Sequence, residues 1–272
     1  MPSGRTSKGL LRRQERIQSN GMEYDLENYD IDGYPGSVDI VDAPKTLNVG
    51  FRQCRSMMPF DNLDRKLKDF RWDVYGGTPE SRTAEKMANT FVSGYGRFRK
   101  EGKGYFIYSG TKGCGKTLLS CCLANEIMET QDVSVKFISV LDYLELTKKD
   151  YKTMEEKADV ERIRQAGILI LDDIGVELKR EWVNTALYSL INHRHSNRMV
   201  TLITSNSPLE RLGIDDRVKD RINAMCIMLH LPEVPIRSIK ARQENEKFLQ
   251  SVILSPRWQQ AGDILNLPSG EG

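Results

Sequence analysis

The chain has 272 residues, 39% hydrophobic and 29% charged, with 40 basic against 38 acidic side chains and a formal net charge of +2. That length holds one full domain and a small appendage, and the apolar fraction supports a packed core, which excludes a wholly disordered chain and a collagen-like repeat. No stretch approaches the roughly 20 apolar residues of a membrane-spanning helix. The near-balanced charge means that nucleic-acid binding has to rest on a local patch.

At the start of the chain, Arg5, Lys8, Arg12, Arg13 and Arg16 precede a run of acids from Glu23 to Asp42 in which Tyr24, Tyr29 and Tyr34 are interspersed. No apolar run follows the opening basic residues, so no secretory signal is expected. Cys54, Cys114, Cys121, Cys122 and Cys226 form no CxxC pair and read as the reduced thiols of a cytoplasmic protein. Residues 1–59 are expected to be an acidic, largely flexible arm that docks on a partner through its tyrosines. Residues 60–100 read as a helical lead-in, with Leu63, Leu67, Phe70, Trp72, Met87, Phe91 and Tyr95 at mixed helical spacing and a helix start at Pro79-Glu80.

From Tyr105 the pattern changes. Short apolar runs at Tyr105–Ser109, Val135–Ser139, Ile168–Leu171, Val200–Thr204 and Cys226–Leu231 alternate with helical stretches at Lys116–Glu129, Val140–Thr147 and Trp182–His193. Five buried-type strands alternating with helices predict an α/β layered domain with a parallel five-stranded sheet over residues 101–236. Residues 237–272 are expected to hold one helix, Ser238–Ile253, and a loose tail.

The strongest motif is Gly110-Thr111-Lys112-Gly113-Cys114-Gly115-Lys116-Thr117, followed by Leu118; it fits G-x-x-x-x-G-K-[ST] between a strand and a helix. Chance alone would produce it in about one chain in a hundred of this length. The glycines let backbone N–H groups turn inward around phosphates, and the helix N-terminus adds its dipole. Lys116 would reach the outer phosphates of ATP, and the Thr117 hydroxyl would ligate Mg²⁺.

Ile168–Gly175 carries four apolar residues into Asp172 and Asp173, the pattern of a central strand delivering carboxylates at its C-terminal end. Asp172 is then the Mg²⁺-side carboxylate, and Asp173 the candidate base for an attacking water. Asn206 ends the run Val200–Asn206, either to hold that water or as a turn residue before Pro208. Arg217 and Arg221 lie four apart on one helix face, either solvated or inserted into a neighbouring subunit's nucleotide site. Arg237 follows the last strand, within reach of a phosphate in its own subunit.

This ordered set, spanning about Phe60 to Lys247, resembles the AAA+ ATPases of the DnaC/DnaI helicase-loader family, to which the IstB transposition helpers are related. The resemblance implies a three-layer P-loop AAA+ core with a reduced C-terminal lid. It makes Asp172 and Asp173 the Walker B pair, Asn206 sensor 1, Arg221 the arginine finger with Arg217 beside it, and Arg237 the sensor 2 candidate. It further implies ATP-dependent homo-oligomers, a replicative DNA helicase as client, and single-stranded DNA held by Lys148 and Tyr151 in one loop and Arg180 and Trp182 in another. Lys149, Lys152 and Lys179 lie nearby. Aspartate at position 173 is one methylene shorter than glutamate, so slow hydrolysis is expected. Two features depart from the family: Cys54 stands alone where some loaders carry a zinc module, and the segment after Leu231 is short for a three-helix lid. Three other readings stay open: an IstB-like helper of a transposase, a P-loop small-molecule kinase, and a nucleotide-binding module that never hydrolyses.

Overall fold

The computed structural model describes residues 11–19, 22–31, 34–40, 50, 53, 55–148, 154–175 and 181–253. Two units are distinguished, Met1–Arg55 and Ser56–Gly272. In the first, β1 (Leu11–Ser19), β2 (Met22–Ile31) and β3 (Tyr34–Ile40) form an antiparallel sheet in that order, with Arg16 opposite Asp25 and Asn28 opposite Val38. The expectation of a largely flexible arm is therefore corrected for Leu11–Ser19, Met22–Ile31 and Tyr34–Ile40. Its charge obscured a period-two alternation, Met22, Tyr24 and Leu26 against Glu23, Asp25 and Glu27, which suits a strand.

The second unit begins with a further correction. Residues 60–78 do not form a helix but three single 3-10 turns, Phe60–Asn62, Leu67–Asp69 and Trp72–Tyr75. Helix α1 (Pro79–Ser93) starts only where Thr78 accepts from the Ser81 amide at 3.1 Å and Pro79 supplies the first helical φ; α2 (Tyr95–Glu101) follows. Long-range bonds add to the turns' own short backbone bonds. The buried Asn125 donates to the carbonyls of Asn62 and Arg65 at 2.9 and 2.8 Å, and Glu126 accepts from the Leu67 amide at 3.2 Å.

Five parallel strands follow as expected: β4 (Gly104–Tyr108), β5 (Val135–Ser139), β6 (Ile168–Ile174), β7 (Val200–Ser205) and β8 (Cys226–His230), in the order β5-β6-β7-β4-β8. Between them run α3 (Lys116–Thr130), α4 (Val140–Lys148), α5 (Met154–Gln165), α6 (Glu181–Ser196) and α7 (Asp216–Met225), and α8 (Ile236–Ile253) follows the last strand.

Alternate strand residues feed two cores. Tyr105, Ile107, Ile168, Ile170 and Leu202 pack with Phe91 and Leu119 on one face. Phe106, Leu169, Leu171 and Ile203 pack with Leu187 and Ile222 on the other. Burial on both faces is why these strands read as continuous apolar runs. Cys121 and Cys122 lie fully buried in α3, and burial pushes the Cys122 thiol up to about 12.

Candidate functional site

The C-terminal ends of β4, β6 and β7 converge on one edge of the sheet, with the loop Ser109–Gly115 between β4 and α3. The loop needs its glycines. Gly113 and Gly115 have φ of +73° and +102°, and a Cβ on Gly113 would lie 2.8 Å from the Arg237 Cβ. Lys116 is almost wholly buried and curls back across the loop, its Nζ donating to the carbonyls of Ser109 and Thr111 at 3.3 and 3.1 Å. The hydroxyl of Tyr75 donates to the Cys114 carbonyl at 2.5 Å, and that hydroxyl and the Phe70 ring lie against Gly115. The turns of the lead-in thus buttress the loop.

Asp172 and Asp173 lie in β6 where its pairing with β7 breaks register between Leu171 and Ile174, with Asp173 at φ +59°. Asp172 Oδ1 accepts from the hydroxyls of Thr117 at 2.9 Å and Thr204 at 2.6 Å. Burial pushes its carboxyl up, and those two hydroxyls pull it back. The Thr117 hydroxyl and Asp172 carboxylate form a pair of hard oxygen donors of the kind Mg²⁺ takes while keeping waters. The Asp173 amide donates to Thr204 Oγ1 at 2.8 Å, and Asn206 Nδ2 donates to Asp173 Oδ1 at 2.5 Å. Asn206 therefore orients Asp173 directly. The Arg237 amide donates to the Gly113 carbonyl at 3.0 Å, which brings the start of α8 onto the loop.

Gly110 through Leu118, Asp172, Asp173, Asn206 and the backbone of Arg237 thus share one sheet edge. Arg217 and Arg221 do not. Arg217 is mostly exposed, pairs with Asp215 at 3.0 Å and lies over the Tyr188 ring at 5.2 Å. Arg221 Nε donates to Asn192 Oδ1 at 3.1 Å, and the side chain lines a cavity of about 630 Å³ with Lys103, His195, Arg198 and Glu101. Burial, followed by the charges of Arg221 and Lys103, holds His195 below its ordinary value. Gly102, Lys103, Arg198 and Met225 precede β4, β7 and β8, so this basic cavity opens at the N-terminal edge of the sheet. The length of β4, roughly 15 Å at about 3.3 Å per residue, separates it from the loop.

Lys148 and Trp182 come together, the Lys148 Nζ lying 5.7 Å from the centre of the Trp182 ring beside a cavity of about 800 Å³. Tyr151 and Arg180, with Lys149, Lys152 and Lys179, lie outside the described residues. Sequence reasoning missed Thr204 and Tyr75. Thr204 had a signal, a polar residue inside an apolar run; Tyr75 had none, because its contact with Cys114 spans 39 residues.

The sequence profile described as IstB-like ATP binding protein matches residues 82–230, more than half of the chain. The chain belongs to this family. Two curated relatives of this IstB-like protein come from Bacillus subtilis (strain 168). The phage-like element PBSX protein XkdC is 29% identical over 167 residues, covering 59% of this chain and 61% of XkdC. The replicative helicase loader DnaI is 32% identical over 119 residues, covering 43% of this chain and 37% of DnaI. The chain thus spans between about a third and three fifths of the length of these relatives. Its fold matches the crystal structure of the DnaC helicase loader with a TM-score of 0.53 at 21% identity, over 64% of this chain and 100% of that one. At that identity the likeness is one of fold. The DnaC/DnaI resemblance and the parallel sheet expected from the residues both hold. Among the described residues no helix is long and apolar enough to cross a membrane.

Proposed function

We propose that this IstB-like protein is an ATP-driven switch that assembles with copies of itself and helps place a hexameric replicative helicase on single-stranded DNA. One observation carries the reading. Lys116, Thr117, Asp172, Asp173 and Asn206 converge at one sheet edge, while Arg221 stands in a basic cavity at the other, where only a second copy could use it. Asp173, oriented by Asn206, accepts the proton of the attacking water; Lys116, released from the Ser109 and Thr111 carbonyls, meets the outer phosphates. Mg²⁺, when bound by Thr117 and Asp172, supplies neutralising charge to the phosphate oxygens. The short Asp173 reaches less far than a glutamate, which makes hydrolysis slow and suits a timer more than a motor. The Lys148–Trp182 pair supports a single-strand surface, a cation to meet phosphates beside a ring on which a base can stack.

The similarity to DnaI favours a helicase as client. The family match keeps a second reading in view, a helper of a transposase on the same core. The test is capture of the host's replicative helicase hexamer by the purified full chain, with and without ATP, and with a chain lacking residues 1–55. Retention of the helicase that is lost with those residues is the expected result. No retention, together with ATP-dependent assembly on duplex DNA, would transfer the client role to a transposase.

A further inference from the structure

The polar groups of the phosphate loop are held at both ends by the short segment between β8 and α8. Glu233 Oε1 accepts the Gly110 N–H at 2.7 Å. His230 Nε2 lies 3.4 Å from Glu233 Oε1. Four residues on, the Arg237 N–H closes on the Gly113 carbonyl at 3.0 Å, and the Leu231 N–H on the Tyr108 carbonyl at 2.9 Å fixes the near side. Desolvation works to raise the Glu233 carboxyl, but the Thr111, Gly110 and His230 contacts outweigh it and hold the group at about 2. It is therefore an anion at any physiological pH.

A phosphate loop collects N–H groups that attract anions. Here a protein carboxylate takes the first, Gly110. The carbonyls of Ser109 and Thr111 face Lys116 instead. We propose that Glu233 is a positioning residue for this loop: by anchoring Gly110 from outside, it sets the orientation in which the later amides, Gly113 through Thr117, meet phosphate. The inference rests on the reading of this loop as the ATP site and adds to it a residue that no sequence motif marks. Glu233 suits the part because its side chain is half exposed, so it contributes to the loop's shape and little to the fold.

The test compares Glu233→Ala and Glu233→Gln with the wild-type chain by ATP titration, melting temperature and steady-state hydrolysis. Glu233→Ala is expected to weaken ATP about tenfold, through KM with kcat little changed, at an unaltered melting temperature. Glu233→Gln keeps an oxygen acceptor for the Gly110 N–H and is expected to recover most of the affinity. Unchanged binding in both variants overturns the proposal. So does tighter binding in both, which would make Glu233 a competing anion, or an equal loss in both. A wild-type chain that binds no ATP would remove the nucleotide reading itself; one that binds ATP while Glu233→Ala binds equally well would remove only the role of Glu233.

Discussion

Asp172 lies between two hydroxyls in a partly buried pocket, where burial raises its carboxyl and the bonds from Thr204 and Thr117 oppose the rise. A carboxyl raised on folding favours the fold most while it is protonated, and that contribution is lost as pH climbs through the raised value. At neutral pH the ionised Asp172 therefore costs stability, which is accepted because a cation needs the charge. Asp172→Asn is expected to raise the melting temperature at neutral pH by a few degrees, to leave it nearly unchanged well below the ordinary carboxylate range, and to lose Mg²⁺-dependent hydrolysis. Thermal melts at both pH values check the sign. The residues around Asp172 were partly legible. Gly110 to Thr117, Asp172 and Asp173 announce themselves because their chemistry demands fixed types at fixed spacing. Tyr75 and Glu233 do not, since a tyrosine that reaches Cys114 and a glutamate that reaches Gly110 act across 39 and 123 residues and obey no local pattern.

Elements divide along the same line. The five strands and most helices of the second unit were legible because each buries both faces or one stripe of its own residues. The first part of the lead-in, residues 60–78, was not: its apolar spacing suggests a helix, but Asn125 and Glu126 on α3 capture its backbone and it forms only single turns. The N-terminal strands had a signal that the charge obscured, the dipeptides Asn20-Gly21 and Asp32-Gly33 between alternating segments, which favour hairpins. Helix α6 carries one further dependence. Arg194 is fully buried and bonds to Thr201 Oγ1 at 2.9 Å and to the carbonyls of Arg164, Ala166 and Val200 at 3.0, 2.9 and 2.7 Å. It joins the end of α6 to the segments entering β6 and β7. Arg194→Met fills much of the volume but leaves three carbonyls without that donor, two of them buried at about 1–3 kcal/mol each before relaxation. A loss of about 3 kcal/mol or more in chemical denaturation is expected; a loss below about 1 kcal/mol would show that the clamp is dispensable.

At the scale of the whole molecule, the proposed function makes the two ends of the parallel sheet complementary halves. One presents the phosphate loop, Asp172 and Asp173; the other presents Arg221 among Lys103, His195 and Arg198. A single copy cannot join them across the length of β4, so the account requires head-to-tail contacts between copies. ATP hydrolysis by mixed variants tests this most directly. Lys116→Ala removes the nucleotide half and Arg221→Ala the arginine half, and each alone is expected to fall about 100-fold or more below wild type. In an equimolar mixture with random neighbours, about a quarter of the interfaces unite an intact loop with an intact Arg221. The mixture is therefore expected to recover about a quarter of the wild-type rate. A mixture as inactive as its two components, or an Arg221→Ala chain that hydrolyses ATP normally by itself, would contradict the account.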